Sequence, residues 1–470
     1  MIDVKNIDIV KSGISLYRNF SLTIPSKENL LISGSNGCGK TLLLEALAGT
    51  LHFPQGEIYY DFITGRTWEA RYAEKRKYIT YIPTNSLQNF LNGSEDLYYQ
   101  QRYYGIGDQK APLVKDLFGR GIDVLQKLDI PPSLSIEHLF DIEVTRLSNG
   151  QLKKLLLLKS FSKGIPKLLL LDYPFEGLDY ESREDLCRFI DFICAKYNVQ
   201  IIIADNHHHL PSVITQKLTL KNFQVERAEK LDGALVKEVK IQSSASTLQR
   251  KNGNEILRIE NLHLKYGDRE IFKDFNWTVN KGDRWVLIGR NGVGKTTLFS
   301  MIYADHPMAY TQALYLFGRR RGTGESIWDV KRRISYLGPE QTSYMNTKHA
   351  WLTAREYVKN FSAQINHGDF ENLIHYLEAE DFMDKPIRNL SSGEMQLILI
   401  MNCFLVPREL LLLDEPFRFL DSKNKNLVMQ YLLSRLNPET TLILITHFKE
   451  DIPDHESFSI HSGLAESALQ

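Results

Sequence analysis

The chain holds 470 residues, 43% of them hydrophobic, with 57 Lys and Arg balanced by 57 Asp and Glu. That length exceeds one ordinary domain and calls for two domains of roughly 200–230 residues each. Zero formal net charge excludes a global pull towards nucleic acid or anionic membrane and leaves only local patches. The scattered cysteines Cys38, Cys187, Cys194 and Cys403 form neither a disulfide framework nor a metal pair. No run approaches the ~20 apolar residues of a membrane span. The opening Met1-Ile2-Asp3-Val4-Lys5 lacks a leader pattern. A reducing, cytoplasmic setting is expected, with any place at the inner membrane face reached through a partner.

In chain order, Tyr17-Arg18-Asn19-Phe20-Ser21-Leu22 reads as β and leads to an apolar strand, Leu30-Leu31-Ile32. Next comes Gly34-Ser35-Asn36-Gly37-Cys38-Gly39-Lys40-Thr41, then a helix-like run from Leu42 to Leu47. Strand, G-x-x-x-x-G-K-[ST] and helix in that order make a phosphate-binding loop. Gly34, Gly37 and Gly39 let the backbone, with Asn36, wrap phosphate oxygens in dihedrals other residues avoid. Lys40 reaches the β/γ-phosphates and Thr41 can ligate Mg²⁺. ATP and Mg²⁺ are therefore the expected ligands. Cys38 reads as a small tolerated residue; an exposed thiol there would instead let alkylation block nucleotide.

Tyr81-Ile82-Pro83-Thr84 closes a short strand. Asn85 to Gly121 holds extra length in the first half, including the aromatic stretch Tyr98-Tyr99-Gln100-Gln101-Arg102-Tyr103-Tyr104. That stretch reads as a packed helix, or as a partner-docking surface. Leu147-Ser148-Asn149-Gly150-Gln151 sets a serine and free amides at a helix start, which suits an anion or a plain cap. Lys167 to Asp172 is an uninterrupted apolar run ending in an acid, as in a strand covered on both faces. Tyr173 follows. His207-His208-His209 reads as a solvated loop, with metal binding as the alternative. Residues 241–254 read as a flexible linker between domains 1–240 and 255–470.

The pattern then recurs, and a repeat of this kind organises the whole chain. Gly289-Arg290-Asn291-Gly292-Val293-Gly294-Lys295-Thr296 follows the strand Trp285-Val286-Leu287-Ile288, with Lys295 lying 255 positions after Lys40. Thr297 continues into the helix. Gly318-Arg319-Arg320-Arg321-Gly322 reads as a solvated basic loop, or as a phosphate contact. Tyr336-Leu337-Gly338-Pro339, Leu390-Ser391-Ser392-Gly393-Glu394 and Leu410-Leu411-Leu412-Leu413-Asp414 match the first-half elements. Glu415-Pro416 follows the last of these, and His447 follows Leu442-Ile443-Leu444-Ile445-Thr446.

A phosphate loop, a Ser-Gly pentapeptide and an Asp-ended strand, in that order and twice over, resemble the ATP-binding-cassette (ABC) ATPases along nearly the whole chain. The resemblance implies an α/β fold of two tandem P-loop nucleotide-binding domains. Each would have a mostly parallel sheet core, an antiparallel β subdomain and a helical subdomain. It also implies that the two cassettes pair head to tail. One site would then use Lys40 with Ser391 and Gly393, the other Lys295 with Ser148 and Gly150. By the same resemblance Asp172 and Asp414 hold Mg²⁺, Glu415 polarises the attacking water, His447 contacts the γ-phosphate, and Tyr266 stacks on adenine.

The first half departs from that pattern. Tyr173 replaces the glutamate, and a neutral phenol cannot be the same base near pH 7. Lys11 takes the adenine-aromatic position. Asp205 falls at the switch-histidine spacing, with His207 two positions late. Loss of a general base typically lowers a rate by about 10²–10⁴, so the expectation is an ATPase with one working site and one holding site. Thr84 and Pro339 stand where transport cassettes carry a glutamine that senses the membrane partner. Size and the short linker resemble the molybdenum-transport (ModF-type) class of soluble tandem cassettes. The expected function is an energy-coupling ATPase on a separate membrane permease. The alternative is a soluble ATP-driven switch acting on a macromolecular partner such as RNA or the ribosome.

Overall fold

The structure, a computed structural model, describes residues 1–11, 14–84, 112–117, 129–131, 134–144, 147–161, 164–206, 209–231, 255–266, 269–289, 292–361, 366–406, 408–446 and 459–461. The chain divides into two units, Met1–Lys240 and Ile241–Gln470. The linker, the Tyr98–Tyr104 stretch, His207, His208, Asn291 and His447 lie outside the described residues.

In the first unit the strands run β1 (Ile2–Lys11), β2 (Ile14–Ile24), β3 (Leu30–Gly34), β4 (Gln55–Tyr60), β5 (Ile79–Ile82), β6 (Leu168–Asp172), β7 (Gln200–Ala204), β8 (Gln216–Lys221) and β9 (Gln224–Lys230). They form an antiparallel sheet, β2-β1-β4, and a six-stranded sheet, β5-β6-β7-β3-β8-β9. The larger sheet is parallel except for β9, which turns back on β8. The second unit repeats the plan with β10 (Glu255–Tyr266), β11 (Arg269–Asn280), β12 (Arg284–Ile288), β13 (Ala313–Leu316), β14 (Arg319–Arg320), β15 (Ile334–Leu337), β16 (Leu410–Asp414), β17 (Thr441–Thr446) and β18 (Ser459–His461). Its sheets are β11-β10-β13-β14, antiparallel, and β15-β16-β17-β12-β18, parallel. The P-loop strand of each unit, β3 or β12, lies beside the strand that follows the Asp-ended strand.

Two faces of one sheet explain the apolar runs. Successive strand side chains point to opposite faces. Leu169, Leu171, Ile201 and Ile203 pack with the helices Asn149–Ser160 and Tyr180–Tyr197. Leu168, Leu170 and Ile202 pack with the P-loop helix Lys40–Ala48 and the antiparallel sheet. In the second unit Leu411, Leu413, Leu442 and Leu444 face one core, and Leu410, Leu412, Ile443 and Ile445 the other. Each such side chain stabilises by about 1.5–3 kcal/mol when fully buried, so an alternating polar strand would not hold this place. Helices Glu340–Lys348, Ala354–Phe361, His367–Tyr376 and Glu380–Met383 precede the helix Ser392–Leu405 and form the helical part of the second unit. The α/β architecture with parallel cores, antiparallel β subdomains and helices therefore matches the expectation.

Candidate functional site

Each P-loop runs from the end of a parallel strand into a helix, Lys40–Ala48 or Lys295–Ile302. Gly39 and Gly294 cap these helices in the left-handed region, with φ of 104° and 99°. A Cβ on Gly39 would sit 2.6 Å from the Tyr17 hydroxyl, and one on Gly294 would sit 2.8 Å from the Phe272 ring. Tyr17 and Phe272 are partners in the repeat, so in each unit an aromatic from the antiparallel sheet packs against the loop glycine. Tyr17 also donates its hydroxyl to Gly39 O at 3.1 Å. Gly37 and Gly292 take positive φ as well. Gly34 lies against the β8 backbone, where a Cβ would fall 2.2 Å from Leu220 O. Asn36 is half-buried in the first loop.

The two loop lysines are buried. Lys40 Nζ donates to Gly34 O at 2.6 Å and Ser35 O at 2.9 Å, and Lys295 Nζ donates to Gly289 O at 2.6 Å. A buried ammonium inside a curl of glycine amides fits phosphate oxygens. Thr41 Oγ1 donates to Asp172 Oδ2 at 3.0 Å, and Thr296 Oγ1 to Asp414 Oδ2 at 2.7 Å. One hydroxyl and one carboxylate suit Mg²⁺, which keeps water and substrate phosphate oxygens as its other ligands. Thr297 is half-buried in the first turn of its helix.

Asp172 carries a further partner, Thr84 Oγ1, at 2.9 Å. Burial pushes its carboxyl up to about 6, against hydrogen bonds from Thr84 and Thr41 and the charge of Lys40.

Tyr173 and Glu415 hold the same backbone place. Their φ values are 49° and 52°, uncommon for non-glycine residues. The amide of Tyr173 donates to Ala204 O at 2.9 Å, and that of Glu415 to Ile445 O at 3.0 Å. The Lys40 ammonium lies 5.7 Å from the Tyr173 ring centre. Burial, with Asp205 and Asp172 nearby, raises the phenol well above its ordinary range, so it stays protonated. A side chain that sequence reading did not single out braces each turn. Lys153 Nζ donates to Pro174 O at 2.7 Å and Glu176 O at 2.6 Å; Gln396 Nε2 donates to Pro416 O at 3.1 Å. Both stand three residues after the signature glycines Gly150 and Gly393, which is the signal that could have found them.

Ser148 and Ser391 cap their helices in matching capping boxes, each accepting from the amide three residues on and paired with Gln151 or Glu394. Gly150 and Gly393 are buried in the first turns.

Strand register corrects the switch position. Ile32 pairs with Ala204 in the first unit, and Leu287 with Ile445 in the second. Two residues beyond Ile445 is His447, and two beyond Ala204 is Asn206, not Asp205. Counting from Asp179 and Asp421 misses this because the first half has one more residue in between. Asn206 Oδ1 accepts from Gly34 N at 3.3 Å, and its Nδ2 is buried without a hydrogen-bond partner among the described residues.

Three other expectations meet the structure here. Cys38 is buried 3.8 Å from Lys40 Nζ, and burial pushes its thiol up, so it is not an exposed reactive thiol. His209 joins Glu184 at 2.8 Å, and among the described residues no group of three or more His, Cys, Asp and Glu could hold a metal ion. In the basic loop Arg321 is buried and ion-paired with Glu325, while Arg319 donates to Thr323 O at 2.6 Å. Two of its three arginines are thus engaged within the loop. The side chains of Lys11 and Tyr266 lie outside the described residues.

Known proteins carry the same plan. The chain is 27% identical to an uncharacterized ABC transporter ATP-binding protein of Schizosaccharomyces pombe, over 95% of each chain. It is 28% identical to the ABC transporter ATP-binding protein ModF of Escherichia coli, over 92% of this chain and 90% of that one. The archaeal ribosome recycling factor aABCE1, solved with ribosomal stalk protein aP1, shares the fold at a TM-score of 0.56 and 16% identity, over 94% of this chain and 84% of that one. No described helix is long and apolar enough to cross a membrane. The sequence model of the ABC transporter family matches residues 17–176 and again 272–418, one match over each P-loop. With both phosphate loops built alike and both segments matched, the chain belongs to the ABC transporter family as a tandem pair of ATP-binding cassettes.

Proposed function

We propose that the chain is an asymmetric tandem ATPase, in which the cassette with Lys295, Asp414 and Glu415 cleaves ATP while the cassette with Lys40, Asp172 and Tyr173 retains it. The observation that carries this reading is the common backbone place of Tyr173 and Glu415. A carboxylate there can take a proton from attacking water; a protonated phenol cannot. His447 would face the γ-phosphate and Tyr266 the adenine. Ser148 with Gly150, and Ser391 with Gly393, would each present a helix start to nucleotide phosphate. Thr41 with Asp172, and Thr296 with Asp414, would hold Mg²⁺.

The names of the relatives, ABC transporter ATP-binding proteins, support an energy-coupling subunit docked on a separate permease; the resemblance to the molybdenum-transport class suggests molybdate as its cargo. One observation favours a second reading, a switch acting on RNA or another macromolecule. Thr84 is turned to Asp172 rather than outward, and Pro339 starts a helix, so neither offers the glutamine amide of transport cassettes. A pulldown with the ATP-trapped Glu415→Gln chain separates the two. Recovery with membrane protein, insensitive to salt, is the result for the permease. Recovery with RNA, lost between about 50 mM and 200 mM salt, is the result for the switch. Asymmetry is tested separately, by substituting Tyr173 and Glu415.

A further inference from the structure

The helix Trp68–Tyr78 in the first unit has no buried residue. Trp68 is 72% exposed and Tyr72 48% exposed, although aromatics of this size usually find cover. Their rings stack on each other, centroids 5.3 Å apart and planes within 8°. The Arg76 guanidinium lies 6.0 Å from the Tyr72 ring centre and extends the row by one more turn. Arg71, also exposed, flanks the row.

Trp68, Arg71, Tyr72, Lys75 and Arg76 sit at i, i+3, i+4, i+7 and i+8. On an ordinary surface helix that spacing marks the apolar stripe that faces the core. Here four of the five face outward, two rings and the two arginines, while Lys75 is half-buried with its ammonium 5.4 Å from the Tyr60 ring centre. The helix carries four basic residues against Glu69 and Glu74. Glu74 turns away from the row, accepting from Thr64 N at 2.7 Å and Gly65 N at 3.1 Å. A chain with no net charge therefore carries a local basic patch built around a planar stack.

We infer that this face binds single-stranded RNA, with unpaired bases stacking on the Trp68–Tyr72 platform and phosphates meeting Arg71 and Arg76. Every base offers a π-face, so such a platform takes bases without regard to sequence, and flanking cations follow the backbone. Duplex DNA keeps its π-faces inside the stack, whereas RNA loops display unpaired bases. A protein partner would call for an apolar or acid-complementary surface; two rings framed by two arginines match a polyanion of stacked planes. The inference deepens the macromolecular-switch reading and rests on it for its purpose, but binding is read without hydrolysis. Its failure would leave the ATPase asymmetry standing, and failure of the asymmetry would leave RNA binding measurable.

The test is fluorescence anisotropy of the full chain with a labelled oligouridine of roughly 20 nucleotides, long enough to span one such face. Binding should weaken steeply between about 50 mM and 200 mM salt. Trp68→Ala with Tyr72→Ala should weaken it about tenfold, given stacking strengths measured for such platforms. Trp328→Ala, at a tryptophan 69% exposed on the second unit, should leave it unchanged. Because Trp68, Tyr72 and Arg76 are themselves exposed, the melting temperature of the variants should hold. Arg76→Glu, a single change at an exposed position, gives a second reading and should also reduce binding. The inference is overturned if the oligouridine does not bind at low salt, if duplex DNA binds as tightly, or if both the paired alanine variant and Arg76→Glu bind like the parent. A stack that serves only the helix would lower melting temperature and leave binding alone, which also overturns it.

Discussion

Glu415→Gln removes nearly all steady-state ATP turnover, and Tyr173→Phe leaves it within about twofold. The amide is isosteric with the carboxylate, so the left-handed turn, the hydrogen bond to Ile445 O at 3.0 Å and the brace from Gln396 all survive. What is lost is the proton acceptor. General-base loss lowers rates by about 10²–10⁴, close to 3–5.5 kcal/mol of barrier. ATP binding should persist, because Lys295, Thr296 and Asp414 are untouched. Tyr173→Phe deletes a hydroxyl that burial already keeps protonated and chemically idle. Malachite-green assays of released phosphate, with ATP affinity measured in parallel, check both. Similar losses from the two substitutions would sink the division of labour.

The complementary prediction is a gain. In a Glu415→Gln background, Tyr173→Glu combined with Asn206→His should raise turnover at least about tenfold, part of the 10²–10⁴ that a general base supplies. The first cassette already holds most of the parts. Lys40 is seated on the loop carbonyls, Thr41 meets Asp172 at 3.0 Å, and residue 173 already takes the required backbone conformation. Missing are a carboxylate and an imidazole. Each alone should recover little, because residues acting on one proton transfer are not additive. An inactive double variant that still binds ATP at Lys40 would place the defect of the first site elsewhere, and Thr84 on Asp172 would be the next suspect.

Local pattern made much of this legible before the fold. A glycine loop between strand and helix is a contiguous signal, and so is an apolar run closed by Asp172 or Asp414. The long-range features were hidden. Asn206 was missed because one additional residue shifts every count made along the chain, and only pairing of β3 with β7 restores the register. Lys153 and Gln396 brace carbonyls about twenty residues away in sequence, across a helix and a strand, which spacing does not reveal. The need for glycine at 39 depends on Tyr17, which arrives from another sheet. The basic loop misled for the opposite reason. Its arginines look free in sequence, but Glu325 folds back on Arg321. The Trp68–Tyr72 row escaped notice because its spacing is that of a core-facing stripe, and only exposure shows otherwise.

The central claim is that ATP is cleaved at one loop and kept at the other. Photolabelling during steady-state turnover measures this directly, using 8-azido-ATP labelled at either the α- or the γ-phosphate and mapping labelled peptides to the two units. The α label should appear on peptides of both units, and the γ label on peptides around Lys40 alone. A γ label that disappears from both units equally, or that remains around Lys295 and not around Lys40, would contradict the account.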